Sequence, residues 1–215
     1  MTVTHALITF LGASCLLTIT PGLDTALVLR TAAVSGARSA MSAGAGICLG
    51  CLMWGCIVSL GLGALLATSQ FGYNILRVAG ACYLVFLGIK IFLQNDASFL
   101  KMQDSARAGV SEWREDSGRW FLRGLFTNLL NPKVGVFYVT FLPLFIPAGV
   151  NVARFSLLLA SIHATEGILW FAVLVTATRS LTSILQKPKV AKSLNRATGA
   201  IFIGFGAKLL FEKAR

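Results

Sequence analysis

Two short polar interruptions decide the fold of this chain: TPGLDT at residues 20–25 and NLLNPK at residues 128–133. Each lies inside a long apolar run, and each contains a proline, which removes a backbone hydrogen-bond donor and breaks a helix. Each also places an ionisable side chain, Asp24 or Lys133, within three residues of its proline. Because unpaired backbone groups and charges are costly in apolar surroundings, both stretches predict broken helices whose breaks serve a function.

The composition is that of a membrane protein. The chain has 215 residues, of which 56% are hydrophobic and only 13% are charged, whereas soluble domains carry about 25% charged residues. The formal net charge is +11, but the Lys and Arg residues concentrate between apolar segments, as in proteins oriented by the positive-inside rule. Nucleic acid is therefore not an expected partner, and the lipid bilayer is.

We predict an all-α polytopic membrane protein with a single transmembrane domain, residues 1–215. Thirteen of the 19 Lys and Arg residues fall on one side of a six-span arrangement, so that side is predicted to be cytoplasmic, with both termini outside. A polar stretch of mixed charge, about 94–119, is predicted to be a cytoplasmic linker. The six predicted spans lie at about 5–29, 41–67, 72–93, 121–146, 153–177 and 195–211.

The two halves of the chain, about 5–93 and 120–211, are similar to each other. The stretch 77–83 is similar to 196–202, and 88–90 is similar to 206–208. Three helices in each half would place the halves in opposite orientations. The sequence therefore predicts an inverted-topology repeat, an architecture found in secondary transporters.

Both prolines are predicted to lie near the middle of the membrane. Pro21, which precedes Gly22, is nine residues before Arg30, and Pro132 is nine residues after Arg123. At 1.5 Å per residue, each proline is about 13 Å from an arginine at the cytoplasmic end of its helix. Half of the hydrocarbon core is about 15 Å thick, so the two breaks are expected at the same depth.

A third intramembrane charge, Glu166, lies midway between Arg154 and Arg179, and His163 precedes it on the same helical face. A charged side chain at the bilayer centre costs roughly 2.5–3.5 kcal/mol. We therefore expect the intramembrane charges to face one another or a water-filled cavity. The predicted residues for binding substrate and coupling ion are Asp24, Thr25, Asn128, Asn131, Lys133, His163 and Glu166.

The ends of half-helices suit a zwitterion, because helix N-termini attract anionic groups. An ammonium group would lie near Asp24 or Glu166, and the surplus acid would take either that ammonium or a coupling proton. Structural alternatives remain open from the residues alone. The prolines could be simple kinks, Asp24 and Lys133 a structural ion pair, and His163 an interhelical hydrogen-bonding residue.

Four stretches are similar to the LysE/RhtB family of bacterial amino-acid exporters. The most specific, at 121–133, resembles the family pattern F-x-x-G-x-x-x-N-x-x-N-P-K, and the stretch 21–30 resembles P-G-P-[ND]-x-x-x-V-x. The other two are 79–90, which resembles A-Y-L-x-x-L-G-x-K, and the small-residue run at 35–50. Leu23 replaces a second proline that the family often has, and Cys51 replaces an acid found in many members.

The resemblance implies a multi-pass protein of the bacterial inner membrane that exports amino acids or small derivatives from the cytoplasm. The driving force would be the proton gradient or the membrane potential, and the mechanism alternating access of the two repeats. No enzymatic activity, catalytic residue, cofactor or metal site is expected, and the sequence leaves open whether the chain forms a homo-oligomer. The alternatives are a cation exporter of related architecture and a thiol-redox carrier that uses Cys48 and Cys51.

Overall fold

Apart from short connecting stretches, the residues that the structure describes are helical. This computed structural model describes residues 2–68, 78, 81–83, 85, 86, 88–93, 117–177 and 188–211. Residues 72–77 of the third predicted span, including Arg77, and most of the predicted linker at 94–119 lie outside the described residues. The helices are α1 (Val3–Ile19), α2 (Leu23–Thr68), α3 (Ala81–Phe92), α4 (Ser117–Leu129), α5 (Pro132–Val136), α6 (Val152–Thr176) and α7 (Pro188–Phe211).

Two of these helices are long and apolar enough to cross a membrane, α2 over Leu23–Gly61 and α6 over its full length. Shorter apolar helices are α1, α3 and the stretch Pro132–Phe145. Helices α1, α4 and α6 begin within a few residues of the first, fourth and fifth predicted spans, whereas α7 begins at Pro188 rather than near 195. Helix α3 covers only the second half of the third predicted span. The helix α4 begins at Ser117, inside the predicted linker.

The first predicted span is broken at its proline. Helix α1 ends at Ile19, α2 begins at Leu23, and Pro21 lies between them. The Thr20 N–H still donates to the last turn of α1, whereas the next helical bond is donated by Ala26 to the Gly22 carbonyl, at 2.9 Å. The backbone between these two bonds is therefore not helical, as the proline predicts.

A sharp turn at Gly36 divides α2 into two arms, residues 23–35 and 37–68. Gly36 has φ 83° and ψ 174°, a backbone conformation that residues with a Cβ atom avoid. The first arm completes the first predicted span, and the second arm contains the second span. Residues of both arms, including Val28 and Ala43, belong to one buried apolar cluster.

The second break lies between α4 and α5. Pro132 occupies the first turn of α5, where its missing N–H costs nothing. The fourth predicted span then continues through a π-helical turn, Phe137–Phe141, and a 3-10 turn, Leu142–Phe145, which contains a second proline. Its regular helical hydrogen bonding is therefore interrupted beyond the break as well.

Small residues let the second arm of α2 pack closely against α4 and α6. A Cβ atom on Gly46 would clash with the Phe121 carbonyl oxygen of α4, so the two backbones are in contact there. Ala43 faces Gly124 and Gly50 faces Asn128, so these two segments run parallel. This crossing places α4 beside the start of α2 and brings the two breaks together.

Helix α6 packs on the other side of the same arm and runs antiparallel to it. Gly44 contacts Phe171, and Gly55 contacts Ala160. Helices α3 and α7 also pack antiparallel. A Cβ on Gly88 would lie 2.8 Å from the Gly199 carbonyl oxygen, and one on Gly206 would lie 2.8 Å from the Ala81 carbonyl oxygen.

Aromatic side chains hold the irregular turns of the fourth span against α1. The ring of Phe10 on α1 lies 5.3 Å from that of Phe145 and 5.8 Å from that of Phe137, centroid to centroid. All three side chains are buried. The two broken spans are thus packed against each other on both sides of their breaks.

Candidate functional site

The two breaks meet, and the acid of the first break is bound by amides of the second. The Asn128 side-chain nitrogen donates to Asp24 Oδ2 at 2.9 Å, and that of Asn131 donates to Asp24 Oδ1 at 3.3 Å. Both oxygens of the carboxyl group therefore act as acceptors, which is the pattern of an ionised carboxylate. Asp24 also lies in the first turn of α2, where the helix dipole favours an anion.

The base of the second break reaches back to the first. Lys133 Nζ donates to the backbone oxygens of Leu17 and Thr20, both at 3.1 Å. These carbonyls belong to the C-terminal end of α1, where the proline leaves them without helical donors and where a cation is favoured. In the described part of the chain, no hydrogen bond joins Lys133 Nζ to Asp24.

Asn131 and Asn128 hold this arrangement in place. Asn131 caps α5, because its Oδ1 accepts from the Lys133 backbone N–H at 3.1 Å, and this fixes which end of the amide faces Asp24. Asn128 is fully buried, and its side-chain nitrogen also lies 3.5 Å from Cys51 Sγ. The absence of a side chain on Gly50 makes room for it.

A small cavity lies between the two breaks. Its volume is about 40 Å³, which is room for two or three water molecules. Its wall includes six of the seven predicted site residues, and Gly22 of the first break. These six are Asp24, Thr25, Asn128, Asn131, Lys133 and His163.

His163 is buried and bound to a neighbouring span. Its Nδ1 lies 3.0 Å from the hydroxyl oxygen of Tyr138 in the π-helical turn. Its ring also packs against Phe137, with the ring centroids 5.4 Å apart. One edge of His163 therefore joins two spans, while its side chain contributes to the cavity wall.

Glu166 is not brought to the cavity. It is half-buried on α6, and it is absent from the residues of the described chain that line the cavity wall. Its Oε2 is buried without a hydrogen-bond partner, as is the hydroxyl oxygen of Thr18 on α1. Thr18 lines the cavity, so the wall at α1 carries a buried hydroxyl without a hydrogen-bond partner.

Sequence reasoning did not single out several groups of the site. The backbone oxygens of Leu17 and Thr20 carry no sequence signal beyond the proline that follows them. The Thr20 hydroxyl also forms a short hydrogen bond with that of Thr198 on α7, which ties the first break to the last helix. Tyr138 could have been suspected only as a polar side chain within an apolar span.

The helices, their apolar faces and the polar cavity between two broken spans are those of an all-α polytopic membrane protein. The family model described as LysE type translocator matches residues 15–213. This chain belongs to that family, and the resemblance that the motifs suggested is confirmed.

Characterised and uncharacterised relatives agree with this assignment. The chain is 31% identical to the uncharacterized membrane protein YrhP of Bacillus subtilis (strain 168), over 95% of this chain and 98% of that protein. It is 31% identical to the homoserine/homoserine lactone efflux protein of Salmonella typhimurium, over 93% of each chain. It is 30% identical to the threonine efflux protein of Salmonella typhi, over 90% of this chain and 91% of that protein. No solved structure matches the chain.

Proposed function

We propose that the protein exports amino acids from the cytoplasm and that the cavity between the two breaks is its substrate site. The observation that carries the proposal is the pairing of Asp24 and Lys133 with the opposite break, at the centre of a membrane protein. Opposite charges held with convergent hydrogen-bonding groups suit a zwitterion. Relatives named for threonine and homoserine efflux support the same class of substrate.

The exported amino acid has an uncharged side chain. The cavity wall carries one acid and one base, Asp24 and Lys133, whose charges balance each other as do the ammonium and carboxylate groups common to all amino acids. Among the residues that the structure describes, the remaining lining carries no further acid and no further Lys or Arg, and apart from Asn128, Asn131, His163 and the threonines it is apolar or weakly polar. A charged substrate side chain would be left without a counterion there, at a high cost in free energy.

Glu166 carries the coupling proton. It is the one acid of the predicted site that lies apart from the cavity, so a substrate can bind without using it. An ionised carboxylate with an unpaired oxygen is expensive inside a membrane, and protonation lowers that cost. Inward movement of one proton on Glu166 would accompany outward movement of one amino acid.

Alternating access rests on two inverted repeats. The parallel packing of α2 on α4 and the antiparallel packing of α3 on α7 both fit spans that alternate in direction. Gly88 packs on Gly199, and Gly206, which corresponds to Gly88 in the sequence repeat, packs on Ala81. Each of these two glycines therefore contacts the other half of the chain, which fits a two-fold relation between the halves.

The location proposed for the protein is the bacterial inner membrane, with the 94–119 linker in the cytoplasm and both termini outside. The distribution of Lys and Arg residues supports this orientation. This orientation is tested by placing a tag at either terminus and treating whole cells with a membrane-impermeant reagent. Reaction of the tags would support termini on the outside.

The proposed function is tested by loading cells with labelled threonine, homoserine, leucine, lysine and aspartate and measuring their efflux with and without the protein. We expect faster efflux of the neutral amino acids, and an uncoupler should reduce it. Efflux of none of the five, or of divalent cations instead, would overturn the proposal. If an uncoupler did not change the efflux of neutral amino acids, the proposed proton coupling would be wrong, but the proposed export would stand.

A further inference from the structure

We propose that Asp24 and Lys133 occupy, in this state, the two subsites that receive the carboxylate and the ammonium group of the substrate. This inference rests on the proposed function and deepens it. The protein's own charges stand in for those of an amino acid, and the substrate binds by displacing them.

The anion subsite consists of the side-chain amides of Asn128 and Asn131. Their nitrogens converge on one carboxylate, that of Asp24, at 2.9 and 3.3 Å. The capping bond of Asn131 to the Lys133 backbone N–H fixes its amide with the nitrogen outward. Such a pair of donors binds a carboxylate whether a side chain or a free amino acid supplies it.

The cation subsite consists of the backbone oxygens of Leu17 and Thr20. Both accept from one ammonium group, that of Lys133, at 3.1 Å. They end α1, so the helix dipole adds to the attraction. The hydrogen bonds of Lys133 Nζ go to these two carbonyl oxygens, and another ammonium group could replace it there.

The two subsites stand at the same positions relative to their prolines. Leu17 and Asn128 each lie four residues before the proline of their break, and Thr20 and Asn131 each lie immediately before it. Each break thus offers two equivalent positions, and the charge of the other break fills them. The two subsites are therefore equivalent in position and opposite in preference: that of the first break binds a cation, and that of the second break binds an anion.

The size of the cavity requires displacement. Both subsites and both resident charges line its wall, but it has room for only two or three water molecules. Threonine has eight non-hydrogen atoms and cannot enter while all the side chains keep their places. Once displaced, Asp24 and Lys133 have opposite charges and can pair, so that neither is left alone in the membrane.

Displacement also changes the bonds that tie the two broken spans together. Asp24 joins α2 to the second break, and Lys133 joins α5 to the end of α1. When a substrate takes over both subsites, these cross-links are exchanged for bonds to the substrate, which then joins the two breaks itself.

The test uses the purified full chain, in which threonine binding and the thermal midpoint are measured for wild type, Asp24→Ala and Lys133→Ala. Ser161→Ala, an exposed position on α6, is the control variant. Because Asp24→Ala empties the anion subsite, acetate should raise the thermal midpoint of this variant and leave that of wild type unchanged. Ethylammonium should act in the same way on Lys133→Ala.

Competition decides whether the substrate uses these subsites. Acetate at twice its own dissociation constant should weaken threonine binding to Asp24→Ala about threefold, because both ligands need the same amides. Ethylammonium should weaken threonine binding to Lys133→Ala in the same proportion, so the two variants test the idea independently if one does not fold.

Either of two results would overturn the inference. One is that acetate strengthens threonine binding to Asp24→Ala, which would show that Asp24 is the counterion of the bound ammonium. The other is that the folded variant no longer binds threonine. Absence of threonine export by wild type is a different failure, that of the proposed function, since the effect of acetate on the variant's thermal midpoint involves no amino acid.

Discussion

Replacing Gly50 by alanine should damage the site through one methyl group. A Cβ atom at this position would lie 2.5 Å from Asn128 Oδ1 and 2.9 Å from Asn128 Cβ. The whole Asn128 side chain must then move, because both its near and its far end are too close. Its bond of 2.9 Å to the Asp24 carboxylate cannot survive that movement.

The expected cost follows from three effects. Loss of a hydrogen bond to a charged group costs about 1.5–3 kcal/mol, and overpacking a close contact costs about 1–3 kcal/mol. Alanine offsets about 1 kcal/mol of this, since it is the better helix former. The net destabilisation is about 3 kcal/mol, which lowers the thermal midpoint of a chain of this size by about 6–12 °C.

The matched control is Gly12→Ala on α1, because no atom lies within 4 Å of a Cβ built there. The assay is thermal unfolding of the purified protein together with threonine efflux from cells. We expect Gly12→Ala to be as stable as wild type or more so and to be fully active, while Gly50→Ala loses both stability and efflux. If the two variants behaved alike, the contact of Gly50 with Asn128 would not support the site.

Three further substitutions test the proton coupling, the hydrogen bond of His163 and the role of the cysteines. Glu166→Gln should leave neutral amino-acid efflux running down its concentration gradient but remove its response to an uncoupler; efflux that stays sensitive would assign the proton elsewhere. Tyr138→Phe removes one buried hydrogen bond to His163 and should cost about 1 kcal/mol with unchanged substrate preference, whereas a changed preference would place this pair in contact with substrate. Replacing Cys48 and Cys51 together by alanine should leave efflux in place, and its complete loss would revive the thiol-redox alternative.

The sequence predicts the polar breaks well because proline acts locally. Pro21 and Pro132 remove donors whatever surrounds them, and the structure has helix ends at both places. The membrane class and the family follow from composition and from motifs along the whole chain. The sequence does not identify Gly36 as the turn between the first two spans, since a single glycine within a small-residue run does not reveal a positive φ.

The partners of the charges could not be predicted, because they depend on how the helices pack. Nothing in the sequence near Lys133 points to the backbone oxygens of Leu17 and Thr20, which are over a hundred residues away. The sequence also could not predict that Glu166 lies away from the cavity wall, because this depends on how α6 packs. Helix α6 is apolar nearly all round, so its sequence does not fix which face turns toward the cavity.

Binding of an amino acid between the two breaks can be measured as protection of a cavity cysteine from chemical labelling. Cys48 lines the cavity, whereas Cys82 is exposed on α3. Two single-cysteine variants, each keeping one of these residues, would be treated with a small membrane-permeant maleimide in the presence of increasing threonine. We expect threonine to slow the labelling of Cys48 and to leave that of Cys82 unchanged. Equal labelling of Cys48 with and without threonine, in a variant that still exports it, would show that threonine does not bind between the two breaks.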